Sequence, residues 1–127
     1  MSNIGIVIVS HSALVAEGTA IMASKMAGNT VPVAWCGGDM HGDLGSNAEM
    51  IYEAIRAAWS NSGVAVFVDL GSTEMNSQIA IEKFSKQKQE KIALMNAPLV
   101  EGVIIASSRA ASGDTLEDIM EVCESFQ

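Results

Sequence analysis

Aromatic residues are scarce in this chain. They make up 5% of its 127 residues, although 49% of the residues are hydrophobic. We therefore expect Val, Ile, Leu, Ala and the eight Met residues to fill the core. Charged residues make up 17%, a composition typical of a folded chain and not of a disordered one. The length suits one core, so we predict a single domain over residues 1–127.

Basic residues are also few. Seven Lys and Arg residues stand against fifteen Asp and Glu residues, which gives a formal net charge of -8. Nucleic-acid binding needs a basic surface, so this charge argues against a nucleic-acid partner. It also disfavours docking on anionic lipid, whereas a basic protein partner is compatible with it.

Cysteines and long apolar runs are rare as well. Cys36 and Cys123 fit no zinc or redox spacing, and we expect two reduced thiols and no metal. No apolar run approaches the roughly 20 residues that cross a bilayer, and residues 1–10 lack the features of a signal peptide. These absences predict a cytoplasmic protein with no membrane contact.

Short apolar runs alternate with longer helical stretches along the chain. Unbroken apolar runs are typical of strands in a parallel sheet that is covered on both faces. We predict strands at residues 4–9, 31–35, 64–68 and 91–95 and helices at 12–27, 46–60, 73–86, 99–111 and from 115 onward. Ser46 with Glu49, and Thr115 with Asp118, have the spacing of capping boxes.

Two of the predicted helices carry bulky apolar residues at helical spacing, which predicts the faces that they bury. In residues 12–27 these are Leu14, Val15, Ile21, Met22 and Met26. In residues 73–86 they are Met75, Ile79 and Phe84.

The alternation of strands and helices predicts the fold class. It is an α/β three-layer sandwich with a mainly parallel central sheet and helices on both faces. The first and third strands are the most apolar and should be central, which the strand order 2-1-3-4 satisfies. This order places the topological switch point between them, where such sheets bind ligands at the carboxyl ends of the strands.

Two polar segments follow these central strands. The first strand leads into Ser10, His11 and Ser12, and the third into Asp69. In the predicted order the two strand ends are neighbours, so His11 and Asp69 should meet. An Asp69 carboxylate that accepts the Nδ1 proton of His11 leaves Nε2 free as a nucleophile. We therefore predict that His11 and Asp69 are catalytic and that Nε2 is phosphorylated.

An incoming phosphoryl group needs hydrogen-bond donors. Helices begin after His11 and after Gly71, and helix N-termini supply free N–H groups and a favourable dipole. The glycine-rich loop at residues 37–45 is placed to close over the site. We predict that the phosphoryl-binding residues are Ser12, Gly38, Ser46, Gly71, Ser72 and Thr73.

Other interpretations of these residues stay open. His11 can be a hydrogen-bonding residue at a helix start, and Asp69 can do the same after its strand. His41 suits a metal or substrate contact, although a solvated loop residue explains it better because no other ligands have the right spacing. Arg109 and Glu101 fit a helix surface or an interface.

Four segments resemble a known family: residues 5–12 (GIVIVSHS), 44–47 (LGSN), 69–76 (DLGSTEMN) and 96–102 (NAPLVEG). Together they are similar to the phosphotransfer subunit of dihydroxyacetone kinase, which resembles the IIA domain of the mannose-type sugar phosphotransferase system. The resemblance covers almost the whole chain, in order and without a large gap.

This resemblance implies a place in a phosphoryl relay. His11 matches the histidine that the phosphocarrier protein HPr phosphorylates, and Asp69 matches the acidic residue beside it. Gly71 and Ser72 match the segment that cradles the phosphoryl group. The group then goes to ADP in an ADP-binding subunit, which drives the phosphorylation of dihydroxyacetone. The resemblance also implies a homodimer, and no cofactor in this subunit.

Two alternatives remain. A mannose-type IIA domain would hand its phosphate to a IIB domain. A flavodoxin-like binding or regulatory module would carry no phosphate on histidine. A receiver-like regulator would need an acidic cluster at the end of the first strand, where this chain has Ser10 and His11. A hydrolase is disfavoured because no Gly-x-Ser-x-Gly motif is present.

Overall fold

The computed structural model describes residues 3–125, which form four strands and six helices. In chain order these are β1 (Gly5–Ser10), α1 (Ala13–Ala27), β2 (Val33–Gly37), α2 (Ala48–Ala57), β3 (Val64–Val68), α3 (Ser72–Glu82), α4 (Lys86–Gln89), β4 (Ile92–Leu94), α5 (Leu99–Ala111) and α6 (Leu116–Glu124). No helix within residues 3–125 combines the length and the apolar character that crossing a membrane requires.

The sheet is parallel and has the order β2-β1-β3-β4, as predicted. Side chains of β1 alternate between its two faces, as the twofold period of a strand requires. Ile6 and Ile8 pack in the core beneath α1, α5 and α6, and Val7 and Val9 pack in the core beneath α2 and α3. The three-layer α/β sandwich is therefore confirmed, with both faces of the central strand covered.

Capping at two helix starts tests the predicted capping boxes. Asn47, and not Ser46, caps α2 by accepting the N–H of Met50 through its side chain. The capping box predicted at Ser46 is therefore wrong. The box predicted at Thr115 and Asp118 is confirmed, because each side chain accepts the backbone N–H of the other residue.

The buried face of α1 differs from the prediction. The five bulky residues of its apolar stripe are all exposed: Leu14, Val15, Ile21, Met22 and Met26. The helix instead buries a stripe of small residues: Ala16, Thr19, Ala20, Ala23 and Ala27. Small residues let α1 pack against alanines of α5, such as Ala106 and Ala110, in the same core. Both stripes have helical spacing, and the prediction that the bulkier residues form the buried face was wrong.

The methionines are mostly on the surface, which contradicts their predicted use as core residues. Exposed methionines are Met22, Met26, Met40, Met50, Met75 and Met120, whereas Met95 is buried. In α3 the predicted inward residues Met75 and Ile79 are exposed, and Phe84 beyond its end is buried as predicted. Met1 lies outside the described residues.

Candidate active site

The site lies at the carboxyl ends of β1 and β3. These strands pair in register, with Val9 opposite Val68. The residues that follow therefore leave the sheet side by side, and the structure brings His11 and Asp69 together. The Nδ1 atom of His11 lies 2.9 Å from Oδ2 of Asp69.

Asp69 receives several donors. Oδ2 accepts the hydroxyl of Ser10 at 2.5 Å, and Oδ1 accepts the N–H of Leu70 at 2.7 Å and the hydroxyl of Thr73 at 3.3 Å. The N–H of His11 lies 3.2 Å from both oxygens. Burial alone raises the pKa of this carboxyl, but the hydrogen bonds outweigh it and hold the pKa below its usual value.

An ionised Asp69 determines the form of the His11 ring. A carboxylate only accepts hydrogen bonds, so Nδ1 of His11 must carry the proton and Nε2 keeps a lone pair. Nε2 has no hydrogen-bond partner within residues 3–125. The His11 side chain is 33% exposed and that of Asp69 is 14% exposed. The ring is thus oriented from its buried side and is accessible to a reactant.

The start of α3 offers donors beside this ring. Gly71 precedes the helix with a φ of 69°, a backbone conformation that glycine adopts readily. No described side chain caps this helix start. The first N–H groups of α3 are consequently available to an anion, as helix N-termini generally are. Ser72, which opens α3, is exposed.

The loop that joins β2 to α2 (residues 38–47) is hydrogen-bonded to this site through Gly45 and Ser46 near its end. The N–H of Gly45 donates to the carbonyl of His11 at 2.9 Å. The hydroxyl of Ser46 lies 2.8 Å from that of Ser72 and accepts the side-chain amide of Asn76 at 2.7 Å. These bonds hold Ser46 against the first turn of α3, beside Ser72.

Two other candidate residues have different surroundings from those expected. Gly38 is buried, and its N–H is directed to the carbonyl of Ser10 at 3.4 Å. Thr73 is fully buried and donates its hydroxyl to the carbonyl of Leu70 at 2.9 Å and to Asp69. The N–H of Gly38 and the hydroxyl of Thr73 therefore both bond within the protein.

Ser12 has a double role at the start of α1. Its side chain caps the helix by accepting the N–H of Val15, and its own N–H donates to the hydroxyl of Ser10 at 3.0 Å. Its hydroxyl hydrogen has no acceptor within residues 3–125.

Sequence reasoning missed Ser10 and Asn76. Ser10 ends a buried strand, and its contact with Asp69 depends on a residue 59 positions away. Asn76 was detectable, because it lies four residues after Ser72 and therefore on the same face of α3. Its partner Ser46, however, belongs to a loop whose path follows no periodicity.

The remaining candidate residues make no hydrogen bond to His11 or Asp69 within the described part of the chain. His41 is exposed in the loop, where its N–H donates to Asp39. No group of three or more metal-ligating side chains occurs among residues 3–125. Arg109 pairs with Asp114 at 2.7 Å. Both cysteines are free and buried, and burial raises the pKa of the Cys36 thiol to about 12. Such a thiol is a poor nucleophile or ligand.

Comparison with known proteins gives one matching family. Residues 5–120 match EIIA-man, described as the PTS system fructose IIA component. A relative from Listeria innocua is 35% identical over 118 residues, which cover 93% of this chain and 94% of that protein. Its name is "PEP-dependent dihydroxyacetone kinase 2, phosphoryl donor subunit DhaM".

Two further similarities differ in extent. A phosphoryl donor subunit DhaM from Pantoea ananatis is 33% identical over 122 residues, but this chain spans only 26% of its length. The crystal structure of EF1359, a protein of unknown function, superposes with a TM-score of 0.87 at 30% identity. That superposition covers 100% of this chain and 96% of the other.

Proposed function

The chain belongs to the EIIA-man family of phosphotransferase-system components, and we propose that it is the phosphoryl donor subunit of a dihydroxyacetone kinase. In this proposal His11 accepts a phosphoryl group from phosphorylated HPr and gives it to ADP bound in a partner subunit. The contact between Nδ1 of His11 and Oδ2 of Asp69, at 2.9 Å, carries the proposal. The relative from Listeria innocua, similar over nearly its full length, supports the choice of kinase.

The first step transfers the group between two imidazoles. The Nε2 lone pair of His11 forms a bond to phosphorus as the bond from phosphorus to the donor's histidine nitrogen breaks. The donor ring keeps that bond's electron pair. The His11 ring becomes positively charged, and its Nδ1 proton stays hydrogen-bonded to Asp69, whose negative charge stabilises it.

The second step reverses the bonding at His11. A terminal phosphate oxygen of ADP attacks phosphorus, the bond to Nε2 breaks, and the electron pair returns to the ring. His11 recovers its neutral form with the proton still on Nδ1. Because charge develops and disappears on the ring in both steps, Asp69 serves the forward and the return transfer alike.

Donors for the phosphoryl oxygens come from the neighbouring helix starts. The uncapped N–H groups that follow Gly71 are the main candidates. The hydroxyls of Ser12 and Ser72 flank them, and Ser46 holds Ser72 in place from the loop. This arrangement provides positioning and charge stabilisation, on which phosphoryl transfer mainly depends.

An apolar rim around the site supports docking of partner proteins. The five most exposed large hydrophobic side chains of the described residues, each 62% to 82% exposed, are Leu14, Met40, Leu44, Leu70 and Met75. Leu14, Leu70 and Met75 each lie within three residues after His11, Asp69 or Ser72. Met40 and Leu44 lie in the loop of residues 38–47, which is hydrogen-bonded to His11. Exposed apolar patches of this kind are typical of interaction sites. The net charge of -8 favours basic partners.

A homodimer and a cytoplasmic location belong to the same proposal. The strand β2 is at the edge of the sheet, and Trp35 on it is exposed beside a groove formed with α2. An open edge strand with apolar side chains is suited to pairing with another chain. Sedimentation of the purified protein at micromolar concentration tests this part, with a mass of two chains expected.

The second candidate is a sugar-transport IIA domain that phosphorylates a IIB domain. The description of the matching family as a fructose IIA component favours it. Both candidates require the same phosphohistidine, so they differ only in the acceptor of the group.

The experiment that tests the proposal uses radiolabelled phosphorylated HPr. We expect acid-labile label on the wild type and on the control His41→Ala, and none on His11→Ala. The labelled protein is then mixed with the ADP-loaded kinase subunit or with a IIB domain. Release of label as ATP supports the kinase assignment, and transfer to the IIB domain alone contradicts it.

A further inference from the structure

Ser10 is the last residue of β1, and its side chain is fully buried next to the site. Its hydroxyl lies 2.5 Å from Oδ2 of Asp69, the same oxygen that contacts Nδ1 of His11. One carboxylate oxygen is therefore shared between a buried serine and the reacting ring. The two transfer steps described above make no use of this serine.

The direction of the serine hydrogen bond follows from a third group. The backbone N–H of Ser12 donates to Oγ of Ser10 at 3.0 Å. An N–H only donates, so Oγ is the acceptor there, and its own hydrogen is left for another partner. Asp69 is the acceptor for that hydrogen within residues 3–125. The hydroxyl therefore donates to Asp69.

This direction determines the proton position on His11. The bond from Ser10 is one of the hydrogen bonds that hold the pKa of Asp69 below its usual value, and an ionised Oδ2 has no proton to give to the ring. The hydrogen between Oδ2 and Nδ1 must then belong to Nδ1, which leaves the lone pair on Nε2. A backbone amide, a hydroxyl, a carboxylate and an imidazole thus form one chain with every proton assigned.

We infer that Ser10 is a positioning residue: its hydroxyl keeps Oδ2 of Asp69 as an acceptor and thereby holds the His11 proton on Nδ1. The consequence for phosphoryl transfer rests on the proposed function: with the proton held on Nδ1, the Nε2 lone pair stays free to accept the phosphoryl group. Within the described residues Ser10 makes no hydrogen bond to the His11 ring, so it acts through Asp69.

Removal of the hydroxyl should affect the ring more than the fold. In Ser10→Ala, Oδ1 of Asp69 still accepts from Leu70 and Thr73, so the carboxylate stays in place. Oδ2 loses its second donor and holds the ring less firmly. We expect both neutral forms of His11 to be populated in this variant, instead of one.

The nitrogen-15 NMR spectrum of the free protein tests this directly. At about pH 8.5, where imidazoles are generally neutral, we expect wild-type His11 to show a protonated Nδ1 and an unprotonated Nε2. Ser10→Ala should show averaged signals, and Ser10→Thr, which keeps the hydroxyl, should restore the wild-type pattern. His41 is the internal reference, because it lies in an exposed loop segment. An unchanged His11 spectrum in Ser10→Ala overturns the inference.

Rates of phosphoryl uptake from phosphorylated HPr give a second readout. We expect Ser10→Ala to react about tenfold more slowly, the effect of one hydrogen bond to a charged group. Ser107→Ala is the matched control: Ser107 is equally buried, but its hydroxyl donates to the carbonyl of Val103 within α5. Equal rates for the two Ala variants contradict the inference. If Ser10→Thr does not fold, the uptake rates and NMR spectra of Ser10→Ala and Ser107→Ala still decide the outcome.

The two readouts separate this inference from the proposed function. The NMR measurement needs no phosphoryl donor. Failure of wild-type protein to take up label contradicts the proposed function alone, whereas a wild-type spectrum in Ser10→Ala contradicts the role of Ser10 alone.

Discussion

Nδ1 of His11 and Oδ2 of Asp69 are 2.9 Å apart, although 58 positions separate the two residues in the chain. The parallel pairing of β1 with β3 produces this contact, since each residue follows its strand directly. The contact fixes which nitrogen of His11 has a free lone pair.

Asp69→Asn should slow phosphoryl uptake from HPr by about tenfold to a hundredfold. The amide carries no charge to stabilise the charged ring, and its orientation permits either proton position on His11. Uptake rates of the two proteins at equal HPr concentration provide the measurement, with circular dichroism as the check that the fold is intact. A rate equal to that of the wild type would show that the carboxylate has no part in the transfer.

The lowered pKa of Asp69 predicts a dependence of stability on pH. A carboxyl with a lower pKa in the folded than in the unfolded state stabilises the fold at pH values above the unfolded value, roughly 3.9. This contribution is lost as the pH falls through the lower, folded value. The groups around Asp69 are His11, Ser10, Leu70 and Thr73.

Titration of the Asp69 carboxyl carbon by NMR measures this shift. We expect a midpoint below that of an Asp in an unstructured peptide. The difference in free energy of unfolding between wild type and Asp69→Asn should shrink as the pH falls below about 4. A midpoint at or above the peptide value would contradict the hydrogen-bond network that we describe.

Gly37 is predicted to be essential for the spacing between β2 and α1. A Cβ atom added there would lie 2.7 Å from Cα of Ala13 and from the carbonyl oxygen of Ser12. Both are backbone atoms and have little room to move, so Gly37→Ala should reduce the free energy of unfolding by about 1–3 kcal/mol. Because the clash is at the start of α1, phosphoryl uptake should fall too.

Gly18→Ala is the matched control for this substitution. It lies inside α1, and an added Cβ would meet nothing within 4 Å. Alanine is the better helix former, so this variant should gain up to about 1 kcal/mol of stability. Urea unfolding of both variants gives the comparison. Similar stability changes at the two glycines would contradict the close approach at Gly37.

The pair Ser46 and Asn76 should control how firmly the loop of residues 38–47 is held. Asn76→Ala removes the donor to the Ser46 hydroxyl, at 2.7 Å, and leaves the contact with Ser72 as its remaining hydrogen bond to α3. We expect faster proteolytic cleavage within the loop and slower phosphoryl uptake. Additive effects of Ser46→Ala and Asn76→Ala in a double-mutant cycle would show that the two residues are not coupled.

The strand order and the site's two central residues followed from the sequence because they depend on strong regularities. Unbroken apolar strands predict a parallel sheet, and the sheet order brings the ends of its central strands together. His11 and Asp69 stand directly after those strands, so little freedom remained in their placement. The family resemblance agreed with the family match over residues 5–120.

The rest depended on packing and on loop geometry, which the pattern does not specify. On α1 two stripes have helical spacing, and the choice between Leu14 and Ala16 depends on how closely α5 approaches. The loop path decides that Ser46 contacts Ser72 instead of capping α2. Ser10 looked like an ordinary strand end, and only its buried neighbours reveal its contact with Asp69.

The position of the phosphoryl group on the protein tests the central claim most directly. After incubation with phosphorylated HPr, mass spectrometry under alkaline conditions locates the modified residue, and NMR identifies the modified nitrogen. We predict one phosphohistidine, at His11, with phosphorus bonded to Nε2. Phosphate on Nδ1, on His41 or on no histidine at all would contradict the account.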